Sequence, residues 1–391
     1  MQSVSSYLSQ TLPVVAPLLT ASAGLPAESI GLLNAVVAAG SVVVLLCGGP
    51  LLARFGPVRA LQAGALVSGL GLLLAMAGTL PALLLASLML GAGYGPSAPA
   101  GSRILAATAP PGRRALIFSV KQSGALLGGG ACGLLAPLAV AIGGWPAALL
   151  LGMLIAALAA CAIQPLRARL DIERDPSATI RLATIFGRHN LASPFRALSL
   201  SPLLWPLTWL ATAFAVVQGS LFTFTVSWLV DQRGFSLAAA GGAFAVMQGA
   251  GMAARILLAM LADRTGRITR NLVVQAFAAA AAMAALALLP ATAGLTPILI
   301  LCGICGFLGA SWNGITLAEV ARLVPPARVS DATSGCTLIV FCGYTVGPAA
   351  FTLLVSATGN WPLAYLLVAA QLTIAALIVG FSLLRAGGKT T

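Results

Sequence analysis

The sequence predicts an all-α membrane protein with twelve transmembrane helices in two parallel six-helix repeats. Of its 391 residues, 59% are hydrophobic and only 7% are charged, whereas soluble domains carry about 25% charged residues. The mean hydropathy of +1.02 agrees, because a chain this apolar lacks the polar surface that a soluble globule turns to water. Most of the chain consists of apolar segments of about 20 residues, the length that crosses a bilayer as a helix.

Polar loops and Gly/Pro pairs divide the apolar sequence into spans. The predicted spans are 4–24, 29–52, 59–80, 82–107, 115–142, 145–164, 203–229, 236–261, 269–290, 295–321, 332–357 and 361–385. A polar stretch follows the sixth span. We therefore expect an N-terminal half over 1–166, a linker over 167–201 with an amphipathic helix around Ile180–Leu200, and a C-terminal half over 202–391.

Basic residues gather on one side of the predicted membrane, and among arginines and lysines near the span ends only Arg233 falls on the other side. The positive-inside rule then predicts that both termini and the linker are cytoplasmic. The formal net charge of +13 is spread over short loops rather than collected in one patch, so we expect no nucleic-acid partner. The expected location is a bacterial inner membrane, crossed many times.

The two halves repeat short motifs in the same order. The matched pairs are Ala53–Gly56 with Asp263–Gly266, Ala109–Arg113 with Val324–Arg328, and Gly144–Pro146 with Asn360–Pro362. In membrane proteins, parallel repeats place a solute site at the repeat interface near the middle of the bilayer.

One of these motifs carries a family resemblance. Ala259–Arg267, with the sequence AMLADRTGR, resembles the loop signature of major facilitator superfamily (MFS) transporters between helices two and three and between eight and nine. With the helix count, linker and repeat, the resemblance covers the whole chain and implies the MFS fold. In the first copy, Ala53 stands where an acidic residue is usual.

Two basic residues lie well inside predicted spans: Lys121 in the fifth and Arg255 in the eighth. No Asp or Glu occupies the middle of any predicted span, and charges buried in a bilayer are costly and usually functional. The resemblance implies that these two helices face one central cavity. An anion arriving from water would offset the cost of burying both cations, so we expect an anionic solute.

Neighbouring residues extend this interpretation. We expect Gln248 and Gln122 to orient the solute, and Gly124 and Gly128 to leave space beside the Lys121 ammonium. Ser119–Gly124 resembles a helix-five segment of bacterial MFS transporters. Ala254-Arg255 resembles the helix-eight arginine of the oxalate/formate and monocarboxylate branches, where that arginine is associated with the substrate carboxylate. Two alternatives stay open: Lys121 extends its stem toward the cytoplasmic headgroups, and Arg255 only bonds backbone carbonyls.

Further candidates are polar or aromatic residues in inward positions, which suit an organic solute better than a bare ion. They are Tyr7, Gln10, Asn34, Tyr94, Gln218, Trp312, Asn313 and Tyr344. A separate group near the cytoplasmic helix ends is expected to form gating contacts. It comprises Arg54, Arg103, Asp263, Arg264, Arg267 and Glu319.

The sequence gives little support for a metal site, an enzyme or nucleotide-driven transport. Cys302 and Cys305 have a metal-ligand spacing but lie in an apolar run without a second ligand pair, and His189 lies in a polar segment. We expect no enzyme, metal or cofactor, and without a phosphate-binding loop transport should be secondary. The prediction is a monomeric carrier of a mono- or dicarboxylate, working by proton symport or anion exchange; the alternative is an exporter of drugs or hydrophobic metabolites.

Overall fold

The computed structural model describes residues 1–108, 114–171, 174–175, 195–325 and 328–387, and these residues are almost entirely helical. The helices are α1 (Gln2–Ser22), α2 (Ile30–Cys47), α3 (Gly49–Phe55), α4 (Pro57–Ala75), α5 (Leu80–Tyr94), α6 (Ser97–Thr108), α7 (Arg114–Ala162), α8 (Arg167–Leu170), α9 (Leu204–Ser227), α10 (Leu237–Thr265), α11 (Ile268–Ala287), α12 (Leu295–Gly309), α13 (Trp312–Arg322), α14 (Val329–Thr358) and α15 (Trp361–Gly387). His189 and most of the predicted amphipathic helix lie outside the described residues.

Within the described ranges, ten helical segments are long and apolar enough to cross a membrane. One of them, 121–170, contains two predicted spans, because the backbone of α7 leaves helical geometry at Gly143 and Gly144. Gly144 has φ +71°, which an L side chain rarely adopts, and Pro146 follows it. The predicted boundary between the fifth and sixth spans is therefore confirmed. The first predicted span corresponds to α1, which has 21 residues. This helix is rich in Ser, Thr and Gln and is not among the ten apolar segments.

The structure adds breaks that hydropathy did not predict. The fourth predicted span is two helices, α5 and α6, separated at Gly95-Pro96, where proline lacks the N–H that a continuous helix needs. The tenth span is also two helices, α12 and α13, separated at Ala310-Ser311. These two breaks fall in the fourth helix of each predicted repeat, which agrees with the predicted duplication. The second predicted span is also interrupted, at Gly48 between α2 and α3, whereas the eighth span is the continuous helix α10.

Small residues let the helices approach closely. A Cβ built on Gly306 of α12 would overlap the Met247 carbonyl of α10, and one built on Gly91 of α5 would overlap the Val37 carbonyl of α2. Such contacts are typical of membrane helices, whose association depends on packing rather than on exclusion of water. Large apolar side chains such as Ile142, 89% exposed, lie on the outside, as a lipid-facing surface requires.

Contacts divide the chain into two compact units. Unit 1 contains Met1–Gly187 and Thr223–Ala245, and unit 2 contains Arg188–Phe222 and Val246–Thr391. Two of the three boundaries fall inside α9 and α10, and the third lies outside the described residues. The predicted halves and the linker at 167–201 stay predictions.

Candidate functional site

The break between α12 and α13, in unit 2, is stabilised by hydrogen bonds from a side chain of the neighbouring helix α11. Ala310 has φ −112° and ψ 1°, so the helix stops there, and the last carbonyls of a helix lack partners within it. Gln275 of α11 donates from Nε2 to the Leu308 carbonyl (2.7 Å) and to Ser311 Oγ (3.0 Å). Ser311 Oγ donates in turn to the Phe307 carbonyl at 2.7 Å. Gln275 was missed by the sequence analysis, although an amide in an alanine-rich helix was a signal.

Arg255 of α10 reaches the same break. Its Nε donates to the Ala310 carbonyl at 3.2 Å, and its side chain is half-buried. The contact fixes one edge of a planar guanidinium whose fork matches a carboxylate. It is also the kind of contact expected from a structural role for Arg255, so the solute-binding role stays a prediction.

Trp312, the first residue of α13, joins the break to two other helices. Its Nε1 donates to Gln218 Oε1 of α9 at 3.1 Å, and the Tyr344 hydroxyl of α14 donates to the same oxygen at 2.8 Å. Phe214 stacks on the Trp312 ring, with centroids 5.8 Å apart. Three of the sequence-predicted residues therefore form one hydrogen-bonded cluster, in which Gln218 is 94 residues from Trp312 and 126 residues from Tyr344 in the chain.

Two further candidates lie on these helices. Gln248 of α10 is 1% exposed, and its Oε1 has no hydrogen-bond partner among the described residues. An unsatisfied buried acceptor is costly, so a donor from a solute or water would be stabilising there. Asn313 of α13 is half-buried. Both stay predicted solute contacts.

In unit 1, Lys121 lies near the start of α7 and packs against α6. A Cβ built on Gly101 would lie 2.8 Å from Lys121 Cε and 3.2 Å from its Nζ, so the lysine stem runs along a glycine of α6. The Lys121 side chain is half-buried, as is that of Gln122. The structure does not test whether either residue contacts a solute.

The expected space beside Lys121 is absent at the predicted glycines. A Cβ on Gly124 would lie 3.1 Å from Ser3 Oγ, and one on Gly128 would overlap the Ser3 carbonyl. The prediction that these glycines leave a cavity is therefore wrong. They are packing positions for α1, because small residues allow two backbones to approach.

The remaining candidates of unit 1 differ in their surroundings. Asn34 of α2 donates from Nδ2 to Thr223 Oγ1 of α9 at 2.6 Å, and Tyr94 is half-buried at the end of α5. Tyr7 is 3% exposed, and its hydroxyl has no hydrogen-bond partner within the described ranges; the same holds for the buried Gln10 Oε1. Asn34 is thus engaged with another helix, whereas Tyr7 and Gln10 keep polar atoms for an additional partner.

Among the gating candidates near the second signature copy, Glu319 forms a compact hydrogen-bonded cluster with two other residues. Glu319 is fully buried and accepts from Arg322 Nε at 2.7 Å and Nη2 at 2.8 Å. It also accepts from Thr269 Oγ1, two residues beyond the signature. Arg264 and Arg267 are exposed, and the side chain of Asp263 lies outside the described set. Glu319 thus pairs with its own helix and with the start of α11, and its gating role stays a prediction.

In the first copy, Arg103 donates from Nη1 to the Leu52 carbonyl at 3.4 Å. Arg54 is exposed, with its guanidinium 5.9 Å from the Phe55 ring centroid. Arg103 therefore contacts α3, the helix that carries Ala53, and its gating role stays a prediction.

An acidic residue that was not predicted from the sequence lies at the first copy of the signature. Asp171, 5% exposed, accepts at Oδ1 from the Val58 N–H at 2.8 Å, and its Oδ2 lies 3.6 Å from Arg167 Nε. A carboxylate at the first turn of α4 accepts a hydrogen bond from an N–H that has no partner within the helix, and it interacts favourably with the positive end of the helix dipole. The Asp175 N–H donates to the Ala53 carbonyl at 2.9 Å. Asp171 thus places a carboxylate at the loop in which Ala53 occupies the usual acidic position.

We expect Gly56→Ala to destabilise the protein. Gly56 has φ +87° and ψ 162°, a region that is essentially restricted to glycine, and an added Cβ would lie 2.5 to 2.8 Å from Asp171 side-chain atoms. The loss should be about 1–3 kcal/mol, seen as a lower thermal midpoint of the purified protein. Gly24→Ala is the control, since Gly24 has φ +65° but no atom within 4 Å of an added Cβ. Equal midpoints for the two variants would contradict the Asp171 contact.

Comparison with known sequences places the chain in a family. The family model of the Major Facilitator Superfamily matches residues 1–319. An uncharacterized MFS-type transporter of Mycobacterium tuberculosis (strain CDC 1551) is 27% identical over 313 residues, covering 79% of this chain and 67% of that protein. A similar transporter from a second strain is 28% identical over 274 residues, covering 69% of this chain and 58% of its own length.

Solved structures show the same fold at low identity. A bacterial homologue of the human lysosomal transporter Spinster, inward-facing and unoccupied, has a TM-score of 0.78 at 17% identity, covering 97% of this chain and 94% of that chain. A peptide transporter in complex with alafosfalin has a TM-score of 0.75 at 18% identity, covering 97% and 91%. Because the family model matches 319 of 391 residues and the helices follow this fold, the chain belongs to the Major Facilitator Superfamily and is a multi-pass secondary transporter, not an enzyme.

Proposed function

We propose that this transporter carries a small organic anion, a mono- or dicarboxylate, by proton symport or anion exchange across a bacterial inner membrane. Both termini are then cytoplasmic. The observation that supports this most is the Arg255 guanidinium held at the break between α12 and α13. Lys121 of unit 1 is the second basic residue assigned to the solute.

The position of Arg255 suits anion binding. Arg255 lies nine positions before Arg264 within the continuous helix α10, which is about 13 Å at 1.5 Å per residue. Helix breaks in transporters commonly hold substrate, because their ends present polar backbone groups inside the membrane. Holding Nε at Ala310 orients the guanidinium before a solute arrives, which lowers the ordering cost of binding.

The charges within the spans support an anionic solute rather than a cationic one. Glu319 of α13 accepts hydrogen bonds from Arg322 and Thr269, so its carboxylate is already compensated. Asp171 caps the start of α4. A cation carrier would be expected to hold a carboxylate toward its solute. The helix-eight resemblance to the oxalate/formate and monocarboxylate branches points the same way and forms part of the proposal.

An exporter of drugs or hydrophobic metabolites is the second candidate. It is favoured by the half-buried pair Phe341 and Tyr344, whose ring centroids are 5.8 Å apart in an edge contact. Flat aromatic surfaces of this kind bind apolar solutes. In that case Arg255 would serve only to hold Ala310.

The test is solute-dependent thermal stabilisation of the purified transporter, with carboxylates, phosphate, sugars and cationic amphiphiles as probes. A ligand that binds only the folded state raises the midpoint with its concentration. We expect carboxylates to do so, and Lys121→Ala to weaken their binding about tenfold or more, as loss of a charged hydrogen bond does. Arg169→Ala, an exposed arginine of α8, is the control.

Two outcomes would count against the proposal. Stabilisation by cationic or neutral amphiphiles alone would favour the exporter. Carboxylate binding that is equal in wild type and Lys121→Ala would remove Lys121 from the site and leave Arg255 as its basic residue.

A further inference from the structure

The side-chain amide of Gln218 has one allowed orientation. Its Oε1 lies 3.1 Å from Trp312 Nε1 and 2.8 Å from the Tyr344 hydroxyl. An indole N–H is a donor only, so the amide atom that faces Trp312 must be the oxygen. A rotation of the amide by 180° would set one N–H against another.

The nitrogen of this amide is consequently turned away from both aromatic residues. Gln218 Nε2 makes no hydrogen bond to the part of the chain that the structure describes. It is also not fully enclosed, although the residue as a whole is only 6% exposed. An amide NH₂ carries two N–H groups and no acceptor. The amide thus offers donors alone to anything that reaches it.

The residue that holds the Gln218 amide lies at the break between α12 and α13, which Arg255 also contacts. Trp312, which holds Gln218, begins α13 two residues after Ala310, whose carbonyl holds Arg255. All four residues lie in unit 2. The two side chains offer different chemistry, since Arg255 carries a charge that suits a carboxylate and Gln218 offers neutral N–H groups that suit a further oxygen.

We propose that Gln218 determines solute specificity by donating to a second oxygen on the anion. The proposal rests on the proposed function and narrows its substrate class to carboxylates that bear an additional oxo, hydroxyl or carboxyl oxygen. Trp312 and Tyr344 are positioning residues, because they act by holding the amide oxygen. A site with a committed donor disfavours an analogue that lacks the matching acceptor.

The experiment compares three-carbon and four-carbon acids that differ in this oxygen. Dissociation constants are measured by thermal stabilisation for propionate, lactate and pyruvate, and for butyrate and succinate. We expect wild type to bind the acids with the additional oxygen about tenfold more tightly, on the order of one good hydrogen bond. Gln218→Glu should lose this preference, because its carboxylate keeps acceptors for Trp312 and Tyr344 but presents no donor. Its added negative charge should also weaken the binding of every acid, propionate included.

Gln218→Leu and Tyr344→Phe complete the series. Gln218→Leu should also bind all the acids alike, and Tyr344→Phe should keep part of the preference, since Trp312 still holds the amide. A wild type that binds carboxylates without preference, or a Gln218→Glu variant that keeps the wild-type preference, would overturn the specificity role alone. Absence of any carboxylate binding by wild type would overturn the proposed function and this inference together.

Discussion

Arg255→Ala is expected to abolish measurable carboxylate transport. Removing one partner of a buried, hydrogen-bonded charge pair costs about 2–5 kcal/mol, which corresponds to roughly 30-fold to several-thousand-fold in affinity. The guanidinium also donates to the Ala310 carbonyl at 3.2 Å, so the variant loses the proposed solute contact and this structural contact together. The measurement is uptake of radiolabelled carboxylate into proteoliposomes, with the dissociation constant from thermal stabilisation.

Two matched variants separate the charge from the geometry. Arg255→Lys keeps the positive charge but loses the planar fork, so we expect weakened binding that still depends on concentration. Arg270→Ala removes an exposed arginine of α11 and should transport like wild type. If Arg255→Ala lowers the thermal midpoint without solute but retains wild-type carboxylate affinity, Arg255 is a structural residue and the anion site is wrong.

Gly306→Ala should have the largest effect on stability. A Cβ at Gly306 would overlap the Met247 carbonyl of α10, so α10 and α12 would have to separate. Overpacking of this kind costs about 1–3 kcal/mol, occasionally more. Alanine is otherwise favoured over glycine inside a helix by roughly 0.5–1 kcal/mol, so the contact reverses the expected sign. The check is the thermal midpoint of the purified variant.

Gly303→Ala provides the control within the same helix. The nearest atom to its added Cβ is Val246 Cγ1 at 3.4 Å, an ordinary van der Waals distance. We therefore expect Gly303→Ala to be neutral or slightly stabilising. A Gly306→Ala variant as stable as Gly303→Ala would show that the α10–α12 contact is less tight than described.

Much of the fold could be predicted because it depends on local composition. A stretch of about 20 apolar residues is helical in a bilayer, since every backbone group must be satisfied within the segment. The boundary at Gly143-Gly144 also follows from local chemistry, because glycine permits positive φ and Pro146 cannot continue a helix. The loop signature at Ala259–Arg267 gave a family resemblance that the match over residues 1–319 confirms.

The site was predicted less completely. Lys121 and Arg255 were identified because a charge within an apolar span is unusual. Gln275 and Asp171 were missed, because an amide in an alanine-rich helix indicates a buried contact but not its partner, and one carboxylate in a polar segment has no distinctive pattern. The cavity predicted at Gly124 and Gly128 was wrong because glycine spacing alone does not show whether space or another backbone lies opposite.

The sequence by itself determined the membrane class, the span boundaries, the duplication and the identity of the basic residues within the spans. Only the tertiary structure decided where the tenth span breaks and what meets there. Arg255 contacts Ala310 across 55 residues, and Gln218 contacts Trp312 across 94 and Tyr344 across 126. Hydropathy and periodicity describe one helix at a time and contain no information on contacts between helices. The side chains that end α12 and orient the Gln218 amide come from other helices, so their effect exists only once those helices are packed.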